Sequence, residues 1–281
     1  MTAWWSGNAV LFDTETDGVA AEDTRIITAC VAEVGGGLAP SVRTWLAQTE
    51  RPIPAEASAI HGVSTERADR EGEAREIVMA EVAARICLAR GNVPLVGHNL
   101  RFDLTILDRE MRRLGIGSLG HEHGQVTVRI DGRRVGAFHV IDTLCLDKAV
   151  DPYRRGRRTL DTTAAHYGVP VKGTAHTAEA DALAAGRVAW AIARRCGMPI
   201  NRVADLYLDR RDPYEVAGRF YDLGEVALPD LHRMQVVWAA EQARGLAGYF
   251  TKKGDHEAAA SVSLHWPLEP VRTETVTSDL V

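Results

Sequence analysis

The sequence predicts an α/β fold: an open mixed sheet with helices on its faces, followed by a mainly helical C-terminal extension. Three observations support this. Short apolar or β-branched runs come first, helical and strand patterns then alternate, and the C-terminal part shows apolar residues at helical spacing. Consecutive short strands favour an antiparallel meander, and helices between strands favour parallel pairing. We expect residues 1–198 to form the α/β domain and residues 199–281 to form the extension.

Three strands are predicted near the N-terminus. They cover residues 9–13, 25–34 and 42–46, which are rich in apolar and β-branched residues and are separated by glycines and polar residues. After a Pro-rich loop, residues 73–90 carry apolar side chains at helical spacing, and a glycine ends this helix. A buried strand is predicted directly afterwards, at residues 93–96. These elements predict a helix followed directly by a strand that belongs to the same sheet as the first three strands.

The rest of the α/β domain is predicted to contain a helix, a hairpin and two further helices. Apolar residues share one face of a helix over residues 104–114. Strands at 125–130 and 135–141 are expected to form a hairpin, because the Asp131-Gly132 pair between them readily adopts positive φ in a two-residue turn. The last two helices are expected at residues 160–167 and 177–196.

The composition favours a globular protein without a disulfide framework. Of the 281 residues, 46% are hydrophobic and the net charge is −5, which excludes a disordered chain and gives no global basic footprint for nucleic acid. The apolar runs are too short for a membrane span and the N-terminus lacks signal-peptide features, so we expect a soluble, cytoplasmic protein. The four cysteines are widely spaced without a C-x-x-C pair, which predicts reduced thiols.

Two acidic residues stand at the end of the first predicted strand. Period-two alternation places Asp13 and Glu15 on one side of this strand and Val10 and Phe12 on the other. Neighbouring like charges repel each other, so such a pair usually shares a proton or binds a cation. A Ca²⁺ loop is the nearest alternative, but its twelfth position requires a Glu, where this sequence has Thr24.

Acidic residues also occur where two predicted helices begin. Asp103 lies in the first turn of a helix, where the macrodipole favours a negative charge in any case. Asp181 follows His176 by five residues, and such a separation turns two helical side chains about 140° apart. The two side chains therefore reach one site only if His176 lies in the loop before the helix. Four acids and a histidine that converge in one α/β domain would form a divalent-metal site with a base.

Several motifs in this order resemble those of the DnaQ-like 3′–5′ exonucleases of the DEDDh class, a group within the ribonuclease H-like superfamily. They are FDTETDG at residues 12–18, HNLRFD at 98–103 and HTAEAD at 176–181. The segment IHGVS at residues 60–64 resembles the part that holds the terminal nucleotide in relatives. The resemblance covers about residues 7–196. It implies a ribonuclease H-like mixed sheet, with an antiparallel three-strand meander and parallel strands.

The resemblance also implies the catalytic residues and the cofactors. Asp13, Glu15 and Asp181 would hold one Mg²⁺ or Mn²⁺, and Asp13 with Asp103 would support a second, since hard cations prefer oxygen ligands. The two ions of such sites lie about 3.5–4 Å apart; one activates water and the other stabilises the departing 3′ oxygen. His176 would accept the proton of the attacking water, and nucleoside 5′-monophosphates would be released.

Substrate contacts follow from the same resemblance. Ile60, His61 and Phe102 would line the pocket of the last base, because apolar and aromatic contact with a base tolerates any sequence. Thr14 and Asn99, which lie within the motifs, are further candidate contacts. An arginine cluster before a helix is a candidate for phosphate contact, with a solvated face as the alternative. The cluster consists of Arg154, Arg155, Arg157 and Arg158.

Two segments depart from the pattern of compact relatives. Residues 117–137 lengthen the link between the second and third motifs. They either shape the access of substrate to the site or form an addition at the edge of the domain without a role in binding. Residues 197–281 lie outside the resemblance. They contain an amphipathic helix, marked by Leu231 and Trp238 and ending near residue 253, which we expect to pack against the exonuclease domain rather than to recruit a partner.

The leading functional hypothesis is a metal-dependent 3′–5′ exonuclease acting on single-stranded DNA ends, of the repair or proofreading type. RNA 3′ ends or short oligoribonucleotides are the alternative substrates, because discrimination depends on 2′-OH contacts that a sequence does not reveal. The non-enzymatic alternative is a module that binds nucleic-acid ends without turnover. No motif indicates a polymerase or other protein partner, a membrane partner is not expected, and the sequence is compatible with a monomer or a homodimer.

Overall fold

The computed structural model describes residues 4–170, 176–195, 197–199, 220–222 and 226–271. Its N-terminal strands, β1 (Ala9–Thr16), β2 (Ile26–Gly35) and β3 (Leu38–Leu46), form an antiparallel meander. Two parallel strands, β4 (Leu95–Gly97) and β8 (Val140–Asp142), extend the sheet beyond β1. The order is β3-β2-β1-β4-β8. The predicted α/β fold with a mixed sheet is confirmed.

Helices connect the strands and cover both faces of the sheet. In chain order they are α1 (Ala55–His61), α2 (Thr65–Glu71), α3 (Arg75–Ile86), α4 (Leu100–Arg113), α5 (Thr143–Val150), α6 (Leu160–His166), α7 (Ala178–Arg195), α8 (Leu228–Lys252) and α9 (His256–Ser261). Period-two alternation along β1 divides the core between the two faces. Val10 and Phe12 pack with α3 and α4, whereas Leu11 packs with α7. None of the described helices has the length and hydropathy of a membrane span.

Besides α9, which has only six residues, three of these helices were not predicted. α1 and α2 lie within the segment predicted as a Pro-rich loop, and α5 follows β8 directly. Each has only seven or eight residues, which is too short for a helical period to stand out in the sequence. Local capping stabilises two of them: the Ser64 side chain accepts a hydrogen bond at the start of α2, and Asp142 does so at the start of α5.

The predicted hairpin belongs to a separate antiparallel sheet, and its second strand was predicted wrongly. This sheet consists of β5 (Gly117–Glu122), β6 (Gln125–Ile130) and β7 (Arg133–Phe138). We predicted one strand over residues 135–141, but the chain passes at His139 from this sheet into β8 of the central sheet. The run VGAFHVI at residues 135–141 is apolar except for His139. Phe138 before the change of sheet and Val140 after it are both buried, so the sequence pattern continues across the change.

The C-terminal helix α8 covers the outer edge of β8. The Val140 N–H donates to Nδ1 of His232 at 2.9 Å. The side-chain amide of Gln235 accepts from the Asp142 N–H at 2.8 Å and donates to the Val140 carbonyl at 2.9 Å. These side chains supply partners to the free backbone groups of an edge strand. After α9, Trp266 enters the main core. Ahead of α8, the strands β9 (Gly197–Pro199) and β10 (Phe220–Asp222) pair antiparallel.

Candidate active site

Three carboxylates meet at the end of β1. The extended backbone places Asp13 and Glu15 on the same side of the strand, and α7, which packs across β1, carries Asp181 in its first turn. One carboxylate oxygen from each of the three lies within 4.8 Å of the others. This all-oxygen donor set has the chemistry that Mg²⁺ and Mn²⁺ prefer.

The fourth acid, Asp103, lies buried in the first turn of α4. Thr14 holds it in place with two hydrogen bonds to Oδ1, one from the backbone N–H at 3.1 Å and one from Oγ1 at 2.6 Å. Asp103 also raises the pKa of Asp13 by charge repulsion, so the two carboxylates are close enough to interact. The side chain of Thr14, a candidate substrate contact, is therefore used to orient an acid of the site.

The acids disfavour each other's ionisation. Burial first, and then the charges of Asp103, Asp181 and Glu15, hold the pKa of Asp13 well above its usual range. Burial, together with Asp181, raises the pKa of Glu15 to about 7. Burial raises the pKa of Asp103 to about 7 even though the hydrogen bonds from Thr14 oppose the shift. Such a cluster must retain protons or take up a cation near neutral pH.

His176 lies outside α7. This is the position that allows the side chains of His176 and Asp181 to reach the same site. It precedes the first helical residue, Ala178, by two positions, and its φ of 63° is left-handed. Left-handed backbone is uncommon for a residue other than glycine and is often found at functional sites. Burial raises the pKa values of Asp181 and Glu15, and the nearby imidazole of His176 partly opposes the rise at both acids. Gly173 and Thr174, which precede this residue in the sequence, lie outside the described residues.

The turn before α4 is fixed by an acid that the sequence analysis did not select. The buried carboxylate of Asp142 accepts hydrogen bonds from the Asn99 N–H at 2.8 Å and from the Leu144 N–H at 2.9 Å. Asn99 adopts a φ of 67° and its side chain is exposed. His98 is held by Thr143, with 2.8 Å between Nδ1 and Oγ1. The available signal for Asp142 was a helix-capping residue directly after a buried strand.

The residues predicted to contact the last base lie at the ends of two helices. Ile60, near the end of α1, is exposed, whereas His61 is buried. Nδ1 of His61 accepts from the Val63 N–H at 3.2 Å, and its Nε2 has no hydrogen-bond partner within the described part of the chain. Burial lowers the pKa of His61. Phe102 is half-buried in the first turn of α4, next to Asp103.

The arginine cluster divides into two pairs. Arg154 and Arg158 both bind the buried carboxylate of Asp147, with N–O distances of 2.8 and 2.7 Å. Their guanidinium groups lower the pKa of Asp147 against the opposing effect of burial. Arg155 and Arg157 are exposed. Contact with phosphates stays a prediction, and the exposed pair is better placed for it.

Comparisons with known proteins point to nucleases. The sequence model of the RNase T family, described as an exonuclease, matches residues 10–189. A protein of Escherichia phage 186, the uncharacterized exonuclease CP81, is 26% identical over 183 residues, which are 63% of this chain and 84% of the phage protein.

Solved exonuclease structures share the fold. E. coli exonuclease I in complex with a dT13 oligonucleotide superposes with a TM-score of 0.51 at 16% identity, covering 67% of this chain and 41% of that one. Exonuclease I from Methylocaldum szegediense gives a TM-score of 0.51 at 18% identity, with coverages of 67% and 41%. The chain therefore spans less than half the length of these structures.

Proposed function

The chain belongs to the RNase T exonuclease family, of DnaQ-like fold within the ribonuclease H-like superfamily, and we propose that it is a metal-dependent 3′–5′ exonuclease of the DEDDh class. The observation that carries this proposal is the cluster of Asp13, Glu15 and Asp181, whose ligand oxygens lie within 4.8 Å of one another. Asp103, fixed by Thr14, adds a fourth carboxylate. This donor set suits phosphodiester hydrolysis assisted by divalent cations.

We assign one Mg²⁺ or Mn²⁺ to Asp13, Glu15 and Asp181, and a second to Asp13 with Asp103. The raised pKa values support the assignment, because carboxylates that repel each other are stabilised by a bound cation. When bound, such ions lower the pKa of water and offset the negative charge of the phosphate. The four side chains would determine where these ions bind and therefore which phosphodiester is cleaved.

His176 takes the proton of the attacking water in this proposal. Its exposed imidazole stands two residues before α7 and is close enough to Glu15 and Asp181 to affect the pKa values of both. Histidine exchanges protons near neutral pH, and a positioned base contributes about 10²- to 10⁴-fold in rate. The left-handed turn at His176 keeps the side chain off the helix, so that it approaches the same site as Asp181.

The 3′-terminal nucleotide would be held by the ends of α1 and α4. Ile60 and Phe102 present apolar surface for the base, and the buried Nε2 of His61 is available as a hydrogen-bond donor. The exposed amide of Asn99 is available to a phosphate or sugar. Single-stranded DNA is the preferred substrate in this proposal because structural neighbours are exonuclease I complexes with dT13 and dA16 oligonucleotides. The products are nucleoside 5′-monophosphates.

The test uses 5′-labelled single-stranded DNA and its RNA counterpart, each with Mn²⁺, Mg²⁺ or EDTA. We expect a metal-dependent ladder that shortens from the 3′ end, and faster loss of the DNA. Asp13→Asn and Asp181→Asn should abolish the ladder, whereas Asp69→Asn, the same change at an exposed position of α2, should not. His176→Ala should slow cleavage about a hundredfold or more. Full activity in a folded Asp13→Asn protein, or shortening from the 5′ end, would overturn the proposal.

A further inference from the structure

A cavity of about 1060 Å³ lies between the α/β domain and the C-terminal helix α8. One wall is a single face of α8, with Trp238, Gln242, Leu246 and Phe250 at successive turns. Side chains spaced by four residues lie one above the other on a helix, so these four form a continuous stripe. The stripe carries no charge, and two of its four members are aromatic.

The opposite wall continues from the candidate active site. It includes Asn99 and Phe102 of the turn that begins α4, directly before the buried Asp103. Lys148 of α5 and Arg101 of α4 also line the cavity. A strand whose 3′ end lies at the acidic cluster would therefore enter this space as it leaves the site.

The charges around the cavity are compatible with a polyanion. Four acidic residues lie on the wall. Glu22 is paired with Arg109 at 2.8 Å, Glu269 lies 3.4 Å from Arg101, and Asp23 is close enough to Arg51 for their charges to interact. The Asp142 carboxylate accepts hydrogen bonds from the backbone N–H groups of Asn99 and Leu144. Lys148 provides a cation on the wall between α5 and α8.

The uncharged face of α8 offers surface and a donor for nucleobases. Leu246 is 48% exposed, although it is a large apolar side chain. The indole N–H of Trp238 is buried and has no hydrogen-bond partner within the described part of the chain. Aromatic side chains stack on bases without regard to sequence, and this requires bases that are not paired.

We propose that this cavity binds the single-stranded segment on the 5′ side of the terminal nucleotide, with bases against the α8 stripe and phosphates near Lys148 and Arg101. The proposal rests on the proposed function and adds a binding surface on α8, which lies outside the 10–189 family match. The volume of the cavity exceeds the roughly 300–1,000 Å³ of small-molecule pockets, which leaves room for more than one nucleotide. The extension thus selects longer single strands over short fragments.

The first test compares two neighbouring aromatic residues of α8. Phe250 lines the cavity, whereas the adjacent Tyr249 is 55% exposed and does not. The measured quantity is kcat/KM for a 12-nucleotide DNA divided by kcat/KM for the p-nitrophenyl ester of thymidine 5′-monophosphate, which is too short to reach α8. Phe250→Ala should lower this ratio about fivefold or more, since base stacking on one aromatic side chain is lost. Tyr249→Ala should leave it unaltered.

The second test places charges of opposite sign on the stripe. Gln242 and Leu246 are both exposed at the rim, so charged residues are tolerated there. Gln242→Glu combined with Leu246→Glu should raise KM for the 12-nucleotide DNA about five- to tenfold at low salt, and Gln242→Lys combined with Leu246→Lys should lower it. Two Lys residues should also steepen the salt dependence of KM, by a log–log slope of about 0.7 for each phosphate contacted. Arg244→Glu, an equal change in charge on a helix position that does not line the cavity, is the control.

An unchanged ratio in Phe250→Ala, or KM shifts of the same sign for both charge variants, would refute the binding region. If the unaltered protein hydrolyses neither the ester nor the oligonucleotide, the proposed function is refuted instead. Fluorescence anisotropy with a 5′-fluorescein 12-nucleotide DNA separates the two outcomes, because it detects binding without turnover. Weaker binding by Phe250→Ala than by Tyr249→Ala in that assay supports the cavity even if catalysis is absent.

Discussion

Replacing Glu15 by Gln should stabilise the metal-free protein at alkaline pH. The pKa of Glu15 is raised from 4.5 to about 7 in the folded state. The folded protein therefore keeps a proton that the unfolded chain has lost, and the free energy of unfolding falls as pH rises through this window. At about 1.36 kcal/mol per unit the shift corresponds to about 3 kcal/mol. Glu15 is only partly buried, so solvent screening reduces the expected gain to about 1–2 kcal/mol.

The assay is urea denaturation in EDTA at pH 4 and pH 8 for the unaltered protein and for Glu15→Gln. The variant should be about 1–2 kcal/mol more stable at pH 8 and nearly equal at pH 4, where Glu15 is mostly protonated in both states. Glu56→Gln makes the same chemical change at an exposed position of α1 and should show no such difference. Added Mg²⁺ should stabilise the unaltered protein more than the variant. A stability difference that is the same at both pH values would refute the reasoning.

Three further changes probe other parts of the structure. Thr14→Val removes the 2.6 Å hydrogen bond to Asp103. It should lower metal-dependent kcat about tenfold or more, since hydrogen bonds to charged groups contribute about 1.5–3 kcal/mol. An unchanged kcat at saturating Mn²⁺ would contradict the role of Thr14 in orienting Asp103. Burial and two neighbouring histidines hold the pKa of His232 at about 3, so the unaltered protein should lose about 2 kcal/mol of stability between pH 8 and pH 5. His232→Asn, whose amide oxygen can replace Nδ1 as the acceptor for Val140, should lose correspondingly less in urea titrations, and parallel curves would disprove the assignment. Gly97→Ala places a methyl group 2.7 Å from a carbonyl oxygen of β1 and should cost about 1–3 kcal/mol, and an unchanged thermal midpoint would exclude that clash.

The parts of the site that depend on a local period were predictable from the sequence. Strand alternation alone placed Asp13 and Glu15 on one side of β1, and the structure brings them together with Asp181. The angular argument about His176 is likewise local, and this residue does precede α7. In both cases the geometry depends on neighbours within a few residues, where backbone periodicity determines direction.

The parts that depend on distant partners were not predictable. Nothing in the run of arginines reveals that Arg154 and Arg158 turn inward to Asp147 while Arg155 remains exposed. The passage of the chain from β7 into β8 at His139 was not predictable for a similar reason, since buried apolar residues, Phe138 and Val140, stand on both sides of the change of sheet. Side-chain partners and sheet membership are set by tertiary packing, which a single sequence does not contain.

The hydrogen bonds from α8 to β8 have a consequence for how this chain can be divided. A fragment ending with the family match at residue 189 would expose the N–H groups of Val140 and Asp142 along an open strand edge. Exposed edges recruit strands from other molecules, so such a fragment is prone to self-association. Two side chains of α8, those of His232 and Gln235, accept the hydrogen bonds that a sixth strand would otherwise accept from β8. The family match and the part of the chain that covers the edge of β8 therefore end at different points of the sequence.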